Sequence, residues 1–312
     1  MTQTPLLHAS KLSRYFGNHA AVNNVSFTVN KGEVLGFLGP NGAGKTTTMK
    51  MLTGNLAPDN GEITINGYDL LDQPKAAKAH IGYLPETPPL YKELTVREFL
   101  YFCARLNAIA NNQINTAVET ALERCGLTGV SQRLIGNLSK GFQQRVGIAQ
   151  AIIHSPAVVI MDEPTSGLDP IQIREIRHLI RDIAQEHSVI LSTHILPEVQ
   201  MLCDRVQIIS QGQLLFSDNI DKLGQYMQSS ALVVEFGLPP SADVLQAIDG
   251  IEQIDSLSQA RFRLHYLPEQ DPTQHLLQRA LQDGWQLKML MPEQHSLEDV
   301  FMKIIRNEEA DV

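Results

Sequence analysis

Residues 34–48 read VLGFLGPNGAGKTTT, an apolar run that breaks into glycines and then into a lysine and three threonines. That order predicts a buried strand, a loop that cradles phosphate and the first turn of a helix. Gly39, Gly44, Lys45 and Thr46 occupy the pattern G-x-x-x-x-G-K-[ST] without mismatch, and the flanks are those the pattern requires. Glycines are expected because successive backbone N–H groups must converge on phosphate oxygens, where a Cβ would block the approach. Pro40, Asn41, Gly42, Ala43 and Thr47 complete the stretch that would surround the phosphates. Lys45 adds a point charge for the outer phosphates. Thr46 offers a hydroxyl to a Mg²⁺ that keeps most of its waters, and the helix N-terminus contributes roughly half a positive charge toward the anion.

With 312 residues the chain exceeds what one core comfortably fills, so two domains are expected. The net charge of -9 argues against a surface made for nucleic acid or anionic lipid. Cys103, Cys125 and Cys203 are odd in number and far apart, with no C-x-x-C, so neither a disulfide framework nor a zinc site is suggested. No secretory pattern opens the sequence and no apolar run approaches the ~20 residues of a membrane helix, so a soluble chain in a reducing compartment is expected.

Before the phosphate loop, 7–16 and 21–29 are strand-like, with Val25, Phe27 and Val29 alternating. After it, Pro58-Asp59-Asn60-Gly61 and Asn66-Gly67 are turn signals on either side of a strand at 62–65. The segment 81–89 begins as a strand and ends in prolines, which implies a flexible connection. Thr95 and Glu98 then form a capping box for a helix with 3.6-residue apolar spacing, and a second helix covers 114–125. These helices are expected to make a separate lobe. The run 157–161, AVVIM, reads as a strand covered on both faces and ends at Asp162-Glu163-Pro164. A helix at 172–185 leads to another short strand, 188–191, ending at Ser192-Thr193-His194. Strands and helices that alternate, with chemistry at strand C-termini, form an open α/β arrangement whose ligand sits outside that edge.

Beyond the turn Gln211-Gly212, residues 218–228 read as a linker helix. Residues 229–312 follow the order βαββαβ, which suggests a small ferredoxin-like α+β domain with a last helix at 297–305.

Asp162 is placed to hold Mg²⁺, and Glu163 to orient and deprotonate a water for in-line attack on a γ-phosphate. His194, at the next strand end, is placed to contact the γ-phosphate region and sense its loss.

The ordered set GPNGAGKTT, LSKGFQQR, VVIMDEP, SGLD and STH resembles the ATP-binding subunit of ATP-binding-cassette transporters over roughly 7–218. It is most similar to the single-cassette export branch, to which the late segment SLEDVF (296–301) is also similar. The resemblance implies a P-loop cassette with a mixed sheet core, an antiparallel β subdomain and a helical lobe at about 86–155, inside a domain of 1–218, then a linker at 219–228. It implies ATP hydrolysis with Mg²⁺, with Glu163, His194 and Lys45 as catalytic residues. Ser139 and Gly141 match positions that reach ATP held by a second subunit, and Asp169 the loop that crosses between subunits. A monomer would then hold half of each site. Phe16 falls where the family stacks an aromatic ring on adenine; a core ring anchoring the first strand is the alternative.

The implied partners are an integral-membrane permease, received in a groove of the helical lobe, and a second ATP-binding subunit, with no nucleic acid; the implied place is the cytoplasmic face of the membrane. Two departures stand out. Glu86 replaces the family's glutamine at the metal, and the signature carries Lys140 and Phe142. A soluble switch on DNA or ribosomes is the other reading, but no coiled coil separates Lys45 from Ser139 and only one cassette is present. A nucleotide kinase would lack the signature.

Overall fold

The computed structural model describes residues 5–220, 222, 231–267 and 270–293, and they form two compact units divided at Ile220/Asp221. The predicted last helix at 297–305 and the segment SLEDVF lie outside the described residues, as does most of the predicted linker.

In the first unit, β1 (Leu7–Phe16) and β2 (His19–Val29) pair antiparallel, and β4 (Asn60–Ile65) and β5 (Tyr68–Asp69) continue that sheet in the order β2-β1-β4-β5. The alternation read in β2 is real: Val25, Phe27 and Val29 are buried against β3 (Val34–Leu38) and its neighbours. The phosphate loop follows β3 and enters α1 (Lys45–Leu52). After the short α2 (Pro74–Lys78) and β6 (Ile81–Leu84) comes a helical lobe of α3 (Val96–Leu106), α4 (Ile114–Arg124) and α5 (Lys140–Ile152). Thr95 and Glu98 make the predicted capping box, which fixes where the lobe begins.

The chain returns through β7 (Val158–Asp162), α6 (Pro170–Ala184), β8 (Ser188–Thr193), α7 (Leu196–Leu202), β9 (Arg205–Ser210) and β10 (Gln213–Asn219). The central sheet has the order β10-β9-β3-β8-β7-β6, parallel except for the β10 edge. All five residues of β3 and of β7 are buried, as continuous apolar runs require when helices cover both faces. Asp218 and Asn219, predicted as helix, are strand instead. They pair with Val206 and Arg205 in β9, and that long-range ladder overrides a local helical pattern.

The second unit, in chain order, contains β11 (Ala231–Phe236), α8 (Ala242–Gln246), β12 (Ile251–Ser256), β13 (Arg261–Tyr266), α9 (Thr273–Gln282) and β14 (Leu287–Pro292). Its antiparallel sheet, ordered β12-β13-β11-β14, is the ferredoxin-like arrangement. Phe236, Phe262, Leu276 and Trp285 centre its own core.

Candidate functional site

The phosphate loop is held from two sides. Gly212, in the turn between β9 and β10, donates its N–H to Ala43 O (3.0 Å) and accepts from Asn23 N (2.8 Å), so both sheets grip the loop. Phosphate approach is therefore not the whole reason for the glycines. A Cβ on Gly39 would collide with the Ile209 carbonyl, and one on Gly44, whose φ is +104°, with the Ala21 carbonyl. Only at Gly42, with φ +80°, is the space open.

A cavity of about 390 Å³ opens over the loop. Of the residues singled out from the sequence, it brings together Phe16, Asn41, Gly42, Gly44, Lys45, Thr46, Thr47, Glu86, Glu163 and His194. His19 and Ala21 also line it and were not foreseen, and so does Ser166, expected only as the start of the SGLD loop that crosses between subunits. Phe16 is half-exposed on this wall, not in the core, and the Arg14 guanidinium lies 5.2 Å from its ring centre. Gly39 and Pro40 sit behind the cavity and offer carbonyls to Lys45 Nζ at 2.8 and 3.1 Å.

One wall carries three side chains in line. Lys45 Nζ is 3.5 Å from Glu163 Oε1, and His194 Nδ1 is 2.9 Å from Glu163 Oε2. Lys45 and Glu163 are buried, whereas the His194 side chain is 47% exposed toward the cavity side. Glu163 has φ +48°, a left-handed backbone uncommon outside glycine, held by its N–H to Ser192 O (3.0 Å). Asp162, fully buried at the end of β7, accepts a bond from the Ser192 hydroxyl. Its charge, after burial itself, pushes the Tyr83 phenol up to about 12.

On the cavity wall the Glu86 and Glu163 carboxylates and the Thr46 hydroxyl offer oxygen donors, while Asp162 is buried at the end of β7 and is not part of the lining. Oxygen donors of that kind suit a hard divalent cation such as Mg²⁺, which takes one or two carboxylates and keeps water or phosphate for the rest, although among the described residues no group of three or more His, Cys, Asp or Glu is placed to hold a metal ion.

Ser139 and Gly141 lie elsewhere. They line a small separate hollow with Phe142, Arg145 and Gln172, and Ser139 caps α5. The two signature departures are accommodated locally: Arg145 stacks 5.7 Å from the Phe142 ring centre and pairs with Glu175 at 2.6 Å, while the Lys140 ammonium lies against Gly167. Asp169 caps α6, accepting from Ile171 N and Gln172 N at 3.0 and 2.9 Å.

Glu198, in α7, was missed by sequence reasoning. It is fully buried and bonded to both Thr165 and Thr193. The available signal was one acid among Leu196, Val199 and Leu202 on a short apolar helix.

Residues 22–166 match the family model described as ABC transporter. The bacitracin transport ATP-binding protein BcrA of Bacillus licheniformis is 35% identical over 313 residues, covering 96% of this chain and 97% of its own length. An uncharacterized ABC transporter ATP-binding protein, YxlF of Bacillus subtilis, is 33% identical over 306 residues, covering 96% and 99%. Among solved structures, cbiO1 of Clostridium perfringens, described as part of the ABC transporter complex cbiONQ, superposes with a TM-score of 0.65 at 27% identity, over 71% of this chain and 91% of that one.

Proposed function

The chain belongs to the ABC transporter ATP-binding family, and from that premise we propose that it powers an exporter by hydrolysing ATP with Mg²⁺ in a dimer seated on a separate membrane permease. The observation that carries this reading is the linked set Lys45–Glu163–His194, buried at Lys45 and Glu163 and half-exposed at His194, on the wall of a cavity floored by the phosphate loop. Lys45 exchanges the carbonyls of Gly39 and Pro40 for phosphate oxygens, gaining charge-assisted bonds. Glu163 orients water in line and takes its proton; His194, bonded to the other carboxylate oxygen, keeps that carboxylate aimed and marks the γ-phosphate. Thr46 and Asp162 would hold Mg²⁺, with Glu86 facing it or its waters. The ion, when bound, neutralises charge developing across the outer phosphates. Phe16 offers a ring face to adenine.

Ser139 and Gly141 line a hollow that the Lys45 cavity does not include, which supports their completing the site of a second subunit, with Asp169 in the crossing loop. A permease groove is supported by a hollow of about 740 Å³ lined by Leu56, Tyr83, Pro85, Pro89 and Gln150, and by half-exposed Tyr91 and Phe102, edge to face at 5.5 Å on the helical lobe. Among the described residues no helix is long and apolar enough to cross a membrane, so attachment to the cytoplasmic face would run through the permease. Export is the direction implied by the resemblance to the single-cassette export branch. We assign the cassette to 1–218 and the accessory domain to 229–312.

Steady-state ATPase assays of the full chain test the chemistry. Glu163→Gln is expected to reduce turnover by roughly a hundredfold or more while ATP still binds, and Lys45→Ala to lose ATP binding. Near-normal turnover by Glu163→Gln would remove Glu163 as the base. Tyr91→Ala with Phe102→Ala is expected to release the chain from isolated membranes; retention would contradict the groove.

A further inference from the structure

We propose that Glu198 is a positioning residue for hydrolysis, a buried carboxylate that locks the loop bearing Glu163 to the strand end bearing His194. The proposal rests on the reading of Glu163 and His194 given above.

Glu198 stands in the first turn of α7 with no exposed surface. Its Oε1 accepts from Thr165 Oγ1 at 2.6 Å and from Arg177 Nη2 at 3.4 Å, and its Oε2 accepts from Thr193 Oγ1 at 2.9 Å. Thr165 and Thr193 are themselves buried. Thr165 follows Glu163 by two residues, and Thr193 directly precedes His194. One carboxylate therefore bridges two segments far apart in sequence whose next functional side chains meet at 2.9 Å. Glu198 does not line the cavity over the phosphate loop, so it acts through its partners.

Burying a carboxylate is costly unless it is paired and hydrogen-bonded. An apolar residue here would avoid that cost but would take this acceptor from Arg177 and from the buried hydroxyls of Thr165 and Thr193, so the acid is explained by what it holds. The bridge also extends outward. Thr165 leads into Ser166 and Asp169, the cap of α6, and two turns along α6 Arg177 returns to Glu198. A shift of His194 on loss of the γ-phosphate is thus mechanically joined to the loop proposed to cross between subunits, through a network whose members are worth more together than singly.

The test is steady-state ATP hydrolysis by the full chain carrying Glu198→Gln, beside Thr165→Val and Thr193→Val. Glutamine keeps the shape but loses the charge and one acceptor. The expected result is a fall in kcat of roughly ten- to a hundredfold, with KM for ATP and calorimetric ATP affinity within about threefold of the parent. Thr165→Ser, which keeps the hydroxyl, is expected to recover the rate lost by Thr165→Val. If Glu198→Gln does not fold, the threonine pair decides. A parental kcat in the folded variants, or equal loss from Thr165→Ser and Thr165→Val, overturns the proposal. Glu163→Gln in the same series separates the levels: if it hydrolyses normally, the underlying reading fails; if it is inactive while the Glu198 network variants are not, only the positioning claim falls.

Discussion

Gly39→Ala is expected to damage the fold of the cassette more than its chemistry. The added Cβ would come closer than 3.0 Å to the Ile209 carbonyl oxygen, 3.1 Å from Ile209 Cγ2 and 3.2 Å from Ala43 Cβ. That carbonyl cannot retreat easily: β9 is laddered to β3 on one side, with Leu38 opposite Ile208, and to β10 on the other, with Leu214 opposite Ile209. Overpacking against rigid backbone costs about 1–3 kcal/mol, and parting one ladder bond costs about 1 kcal/mol more. The sum, about 2–4 kcal/mol, is a downward shift of about 1 M in the urea midpoint. Far-UV circular dichroism reads the whole chain, whereas the single tryptophan, Trp285, belongs to the core of the second unit. Gly39→Ala should lower the circular dichroism midpoint of the cassette, and the Trp285 fluorescence transition reports the second unit separately. Gly42→Ala meets no atom within 4 Å, so only its left-handed backbone strains, at about 1–2 kcal/mol. If Gly39→Ala proved as stable as its parent, or less harmful than Gly42→Ala, the packing account of the loop would be refuted.

Burial raises the thiols of Cys103 and Cys125 to about 12 and that of Cys203 further still, so none is expected to react with a thiol reagent at pH 8 until the chain is denatured; rapid native labelling would contradict their packing. His154 bonds Ile81 O through Nε2, its Nδ1 is buried without a partner, and burial holds its pKa below the ordinary value. The unfolded chain therefore binds its proton first, and the His154 contribution to stability is present above pH ~6.5 and lost as pH falls toward the lower folded value; His154→Gln should flatten that part of a melting-temperature profile. Removing residues 221–312 is expected to preserve ATP binding and to change turnover or the dimerisation equilibrium, and unchanged rates and equilibrium would deny the second unit that part.

The sequence makes the cavity floor legible because Gly39, Gly44, Lys45 and Thr46 fill the phosphate-loop pattern without mismatch, and because β7, buried on both faces, reads as an unbroken apolar run up to Asp162. The capping box at Thr95 is a local bond within four residues, so local sequence suffices there; α6 begins at Pro170, two residues before the predicted 172, under an Asp169 cap that is equally local. What was not legible is long-range. The clash behind Gly39 depends on β9 lying beside β3, and the strand character of Asp218 and Asn219 depends on pairing with β9. Pro74–Lys78 spans one turn and shows no period. Glu198 has no meaning until Thr165 and Thr193, far apart in the chain, arrive on either side of it.

The claim that each subunit holds half of two sites is tested most directly by light scattering of the full-length Glu163→Gln protein with and without Mg-ATP. Ser139 and Gly141, set apart from the Lys45 cavity within one chain, predict a monomer that becomes a dimer when ATP is added. A protein that binds ATP yet stays monomeric at every concentration would contradict the account.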